Sequence, residues 1–201
     1  MGLAKIRDFM VEQRVLWGKK VYINLGKGTA IISFFIGTLI FGIYFLTSNR
    51  DLLFIGYGFI VLAGITNLII LIAILAKSKS DLTNRKRLLK TSGLMLINLP
   101  IMFLFIWFSL ILIGNMRITF TNSTQNKLTD IKIVGCETEY ISELKPNESK
   151  TVWVEINGDC SINLEYLENG ELKKEMVARY VTSGMGQKIK HEFDGKDKDI
   201  L

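Results

Sequence analysis

Residues 29–47, 52–76 and 93–114 form three apolar runs without a single Asp, Glu, Lys, Arg or His. A helix needs about 20 residues to cross roughly 30 Å of hydrocarbon, so each run can span a bilayer. The chain therefore reads as an integral membrane protein with a polar C-terminal part. Charge divides it the same way: residues 1–114 hold 13 Lys and Arg against four Asp and Glu, whereas residues 115–201 hold 12 against 15. The first run is too long, and lacks the small-residue cleavage pattern, for a removed signal peptide. Positive charge flanking membrane spans meets phospholipid headgroups, so the basic balance points to a bilayer with anionic lipid and not to nucleic acid.

Lys and Arg in short loops mark the cytoplasmic side. The N-terminal segment carries Lys5, Arg7, Arg14, Lys19, Lys20 and Lys27, and the loop at 77–92 carries Lys77, Lys79, Arg85, Lys86, Arg87 and Lys90 against Asp81. The loop at 48–51 has only Arg50 and Asp51. The first two segments belong inside and the third outside. Three spans then place residues 115–201 beyond the cytoplasm, at a bacterial inner membrane. Cys136 and Cys160, the two cysteines of the chain, both lie in that exported part. An even pair in an oxidising compartment favours a disulfide, and a bridge closing about 25 residues contributes roughly 3 kcal/mol. Two reduced thiols in a β core are the alternative.

The expected division is an amphipathic segment at 1–28, three transmembrane helices at 29–114, a β domain at 115–194 and a disordered tail at 195–201. In the first segment Leu3, Ile6, Met10, Trp17 and Val21 fall near one helical face. This suits a helix on the cytoplasmic membrane surface, with Trp17, Lys19 and Lys20 as anchors and Arg85, Lys86 and Arg87 at the same level in the loop. Within the spans, Ser33 and Gly37 form a small-xxx-small pair. Asn67 and Asn98 are polar at membrane depth, and Pro100 removes a backbone donor from the third span. These five residues are candidates for helix packing or for lining a pore. A pump or proton relay needs ionisable groups at membrane depth, and the runs contain none.

From residue 115 the period changes to two. Alternation at 117–121, 128–134, 151–156, 160–166, 175–181 and 187–193 predicts six or seven short strands. Turns fall at Asn122-Ser123-Thr124, Lys145-Pro146-Asn147-Glu148, Asn157-Gly158-Asp159 and Glu168-Asn169-Gly170, the last closing a hairpin. Short strands at such spacing make a small β-sandwich or barrel. The residues Leu144-Lys145-Pro146-Asn147-Glu148-Ser149 resemble the Leu-x-Pro-Gly-Glu-Ser connection of immunoglobulin-like bacterial surface modules. The junction at Gly114-Asn115 leaves no stalk, so the β domain is expected close to the membrane surface.

Chemistry is sparse. His191, the one histidine, alternates with Lys190 and Glu192 and is expected to face solvent. Two cysteines and one histidine fall short of a four-ligand zinc site. No phosphate-binding loop, nucleophile elbow or His-Glu-x-x-His motif is present. Ser183-Gly184-Met185-Gly186-Gln187 is expected as a flexible hairpin loop, with phosphate binding the lesser alternative. The expectation is a non-enzyme without cofactor or metal. Asn122-Ser123-Thr124 and Asn147-Glu148-Ser149 match glycosylation sequons, relevant only in a eukaryotic secretory host.

In size and span layout the chain resembles small multi-span bacterial immunity effectors, including the membrane accessory proteins of type VI-B CRISPR systems and the β-barrel effectors of cyclic-nucleotide defence. A cyclic-nucleotide sensor would need its β domain in the cytoplasm, against the charge pattern. The leading expectation is a membrane-anchored extracytoplasmic β module that binds or senses a protein or glycan. An oligomeric effector or pore gated by the β domain is the alternative, and an assembly subunit without activity of its own the third.

Overall fold

A computed structural model of the chain describes residues 2–194, with side chains described from Val21 onward. Three helices, α1 Gly2–Thr47, α2 Arg50–Ser80 and α3 Arg85–Ile113, precede seven strands. These are β1 Asn115–Asn122, β2 Leu128–Val134, β3 Glu139–Leu144, β4 Ser149–Glu155, β5 Cys160–Glu168, β6 Glu171–Val181 and β7 Lys188–Phe193. The chain divides into two units. One holds α1 as far as Tyr44 together with Asn49–Ile106; the other holds Phe45–Ser48 and the chain from Trp107 onward. The expected tail at 195–201 lies outside the described residues.

Three stretches, Val21–Thr47, Arg50–Ser80 and Arg85–Ile113, are long and apolar enough to cross a membrane. The segment expected as a separate surface helix runs without a break into the first of them. No proline interrupts it, and at 1.5 Å per residue 46 residues rise roughly 70 Å, more than twice a hydrocarbon core. Asn49 caps α2 by accepting from the Asp51 amide at 2.9 Å. Asp81 accepts from the Asn84 amide at 3.2 Å just before α3.

Within the helical unit α1 runs antiparallel to α2 and parallel to α3. The tightest point is Gly26, where a Cβ would fall 2.4 Å from Ile74 Cδ1 and 2.7 Å from Thr91 Cγ2. Ala30, Ile74, Leu88 and Met95 form a small buried cluster around it. Farther along, Phe41 stacks on Phe105 with centroids 4.8 Å apart. Most other large apolar side chains, such as Leu39, Phe54 and Leu62, point outward, as lipid-facing side chains do because burial against another helix gains nothing over burial in acyl chains.

In the β unit, β4-β1-β7 form one sheet and β3-β2-β5-β6 the other. β1 lies antiparallel to β4 and parallel to β7, while the four-stranded sheet is antiparallel throughout. Alternate residues of both sheets turn inward, and Ile118, Phe120, Leu128, Ile133, Leu164, Tyr166 and Phe193 fill the shared core. Sequence alternation did not mark β3. It is an edge strand burying only Ile141 and Leu144, three apart, with Ser142 and Glu143 exposed between them. The β5–β6 hairpin turns on Asn169 and Gly170, both at positive φ (52° and 83°), as a two-residue type I′ turn requires. Lys145–Glu148 makes a type II turn that carries the chain from one sheet to the other: Glu148 N donates to Lys145 O at 2.9 Å and Asn147 takes φ 62°. The 182–187 segment is not a hairpin loop, because β6 and β7 belong to different sheets.

Replacing Gly26 with leucine should overpack the helical unit by about 1–3 kcal/mol. The melting midpoint of the full chain in detergent should drop, and an unchanged midpoint would show that the helices do not meet at this glycine.

Candidate functional site

Helix α3 passes into β1 through one residue, Gly114. Its terminal carbonyls need donors, and the β unit supplies them. Gly186 N donates to Ile113 O and Ile156 N to Gly114 O, each at 2.9 Å. The Asn115 side chain donates back to Ile111 O at 2.9 Å. The approach at Gly186 is so close that a Cβ would sit 2.4 Å from Leu112 O, 2.5 Å from Asn115 O and 2.7 Å from Ile113 O. The glycine-rich segment thus cradles the end of a helix with its backbone.

Arg117 performs a related task at the last turn of α1. Period two sends Ile118 and Phe120 into the core and turns Arg117 to the opposite face of the sheet. There Nη1 donates to Phe45 O at 2.6 Å and Nη2 to Ser48 Oγ at 2.5 Å. The guanidinium lies 5.1 Å from the Phe45 ring centroid and 5.5 Å from that of Trp153. α1 has no basic residue in its own last turn, so a cation from β1 meets the negative end of the helix dipole. Ser48, at φ 54°, ends the helix in the left-handed conformation.

The second polar cluster lies between the sheets. Glu175 on β6 is 1% exposed; its Oε1 accepts from the Tyr166 hydroxyl of β5 at 2.5 Å, and its Oε2 lies 2.8 Å from His191 Nε2 of β7. This corrects the expectation of a solvent-facing His191. The side chain is only 11% exposed and its ring stands edge-on to Phe120 and Phe193. Alternation with Lys190 and Glu192 gave the period correctly but not which phase faced inward.

Cys136 and Cys160 form a disulfide, with Cα atoms 5.3 Å apart, tying the turn after β2 to the start of β5. In the helical unit Asn67 Nδ2 donates to Ser33 Oγ at 2.9 Å, joining α2 to α1, and Asn98 Nδ2 donates to Ala30 O at 2.8 Å, joining α3 to α1. Gly37 faces Phe59, and Pro100 lies inside α3. Arg85, Lys86 and Arg87 are exposed at the start of α3, while the side chains of Trp17, Lys19 and Lys20 lie outside those described. Of the two sequons, Asn122 is fully buried, with its amide donating to Asn126 O and Leu144 O, whereas Asn147 is exposed. No group of three metal-ligating side chains occurs among the described residues. Arg117, Gly186 and the Tyr166–Glu175–His191 cluster were not singled out as functional by sequence; their partners are distant along the chain, and no local spacing encodes them.

No protein-family model matches the chain, and no curated protein matches it. A solved structure described as the NMR structure of the protein from Eubacterium rectale is similar over 40% of this chain and 80% of its own, at 16% identity and a TM-score of 0.30, too slight a likeness to carry fold or function.

Two outcomes follow from these contacts. Arg117→Gln should destabilise the protein by about 2 kcal/mol, because hydrogen bonds to a charged group are lost beside buried acceptors; Arg117→Lys should recover little, since one ammonium cannot fork to both acceptors and stack. Thermal melting of both variants checks this, and a lysine variant matching the parent would sink it. Glu168 is held below the usual carboxylate range by its hydrogen bond with Lys173 (2.7 Å between Nζ and Oε2) and then by Asn126. A depressed carboxyl stabilises the fold above the ordinary glutamate range and loses that contribution as pH falls through its folded value. Denaturant midpoints across acid pH should therefore fall more steeply for the parent than for Glu168→Gln.

Proposed function

We propose that this chain is a non-enzymatic membrane protein that holds a β-sandwich on the outer side of a bacterial inner membrane as a binding or sensing module. The observation that carries the reading is the Cys136–Cys160 disulfide, within the unit that the Lys and Arg pattern assigns to the outside. Sensing is favoured over passive anchoring by the continuity of the β unit with the helix ends. Gly186, Ile156 and Arg117 hold the terminal carbonyls of α3 and α1 directly, so a partner that shifts these strands also shifts the helix termini. The partner is a protein or glycan. Asn67 and Asn98, the polar groups a pore would need, donate to α1, which supports packing as their role.

Labelling intact cells with a membrane-impermeant maleimide tests the placement. The β domain should label from outside only after reduction. Labelling that requires lysis but no reductant would put it in the cytoplasm with free thiols and overturn the reading.

A further inference from the structure

The outer face of the three-stranded sheet begins where α3 ends. That helix is apolar to its last residue, so its end marks the edge of the hydrocarbon, and Asn115, the first residue of β1, follows after a single glycine. Arg117 comes two residues later. The register sets Trp153 of β4 on one side of it and Lys188 of β7 on the other, so the three side chains form one row on that face. At about 3.3 Å per residue the row stands at most roughly 7 Å beyond the start of β1. A bilayer about 40–45 Å thick around a hydrocarbon core of about 30 Å leaves roughly 5–8 Å of headgroups on each side. The row therefore falls at headgroup level. The next row, Thr151, Thr119 and Lys190, stands farther out by about the same step.

We propose that this row docks on the phospholipid headgroups of the adjoining leaflet, with Trp153 in the headgroup layer and Lys188 on a lipid phosphate. The chain changes character as that layer requires. The 182–187 segment, whose Gly186 holds Ile113 O, contains no charged residue and can lie at the edge of hydrocarbon. Lys188 is the first charge after it. Its side chain is exposed and, among the described residues, in no ion pair. The four-carbon stem lets its ammonium reach a phosphate while the strand stays in place. Trp153 is half-buried, with its ring 5.5 Å from the Arg117 guanidinium. Tryptophan favours this layer because its ring is apolar and its N–H polar. Arg117 is held inward by Phe45 O and the Ser48 hydroxyl, so it adds charge to the level while Lys188 makes the contact. Glu155, exposed opposite Asn115, is the acidic residue of the first row. Two cations against one carboxylate leave the face positive where lipid phosphates are negative. The docking goes beyond the sensing reading and uses only the membrane spans; it is the same in either leaflet.

Fluorescence quenching of Trp153 tests it. Replacing Trp17 and Trp107 with phenylalanine leaves Trp153 as the one tryptophan of the chain. The full chain is placed in nanodiscs of phosphatidylcholine and phosphatidylglycerol that carry a nitroxide either on the headgroup or deep in the acyl chain. The headgroup nitroxide should quench Trp153 more strongly than the deep one. Lys188→Glu should reduce that quenching by roughly twofold or more, the scale of one lysine's attraction to an anionic surface, whereas Lys190→Glu should leave it nearly unchanged. If the phenylalanine pair prevents folding, fluorotryptophan in the otherwise unaltered chain gives the same reading through fluorine line broadening, with Trp153→Phe identifying the signal. No quenching by the headgroup nitroxide, equal quenching by the deep one, or the same response from Lys188→Glu and Lys190→Glu would each overturn the docking. Because both leaflets carry the nitroxide, failure here is separable from a failure of the maleimide test.

Discussion

The direct passage from α3 into β1 sets the terms for the β unit. A helix that stops at Ile113 leaves carbonyls that, at the edge of hydrocarbon, need donors. With one residue between helix and strand, local capping covers only part of that need. The remainder comes from the two neighbours of β1. β4, antiparallel to β1, ends where β1 begins, and its next residue, Ile156, donates to Gly114 O. β7, parallel to β1, starts at the same end, and Gly186 just before it donates to Ile113 O. A mixed three-stranded sheet with β1 at its centre is an arrangement that brings both donors to that one point.

The same logic explains a buried arginine. Arg117 is 4% exposed, which would be costly for an unsatisfied cation. Phe45 O and the Ser48 hydroxyl accept from its guanidinium, and the rings of Phe45 and Trp153 lie against it. The demand is mutual. The last turn of α1 is Tyr44-Phe45-Leu46-Thr47, a sequence suited to lipid and devoid of cations, so its cap has to come from elsewhere in the chain. Arg117→Gln thus removes a contact needed from both sides, whereas most surface arginines can be replaced at little cost.

The three spans, the switch to period two after residue 114 and the Asn169-Gly170 hairpin were legible in the sequence because each is encoded within a dozen residues. Strand β3 was not, since an edge strand buries two residues at a spacing that matches no template. The phase of β7 was lost for a different reason. Ile189 and Phe193 share a face with His191 and turn it inward, whereas Lys188, Lys190 and Glu192 make the outer face, so the phase was written in the apolar residues of the strand and not in the polar neighbours of the histidine. Gly26 and Gly186 look alike in sequence to Gly28 and Gly158, which meet nothing within 4 Å. What distinguishes them is the arrival of Ile74 and Thr91 in one case and of the α3 carbonyls in the other.

The disulfide sharpens the contrast between the two sheets. It joins the turn after β2 to the first residue of β5, both in the four-stranded sheet. Beside it Gly135, at φ 113°, presses so close to Ser161 that no side chain would fit. That sheet therefore has a covalent tie across two central strands, worth about 3 kcal/mol by loop-closure entropy, and the three-stranded sheet has none. β7, an edge strand of the sheet without the disulfide, follows directly on the Gly186 segment that holds the end of α3. The covalent tie and the grip on the α3 carbonyls therefore fall to different sheets of the same sandwich, the tie to β2 and β5 and the grip to the neighbours of β1.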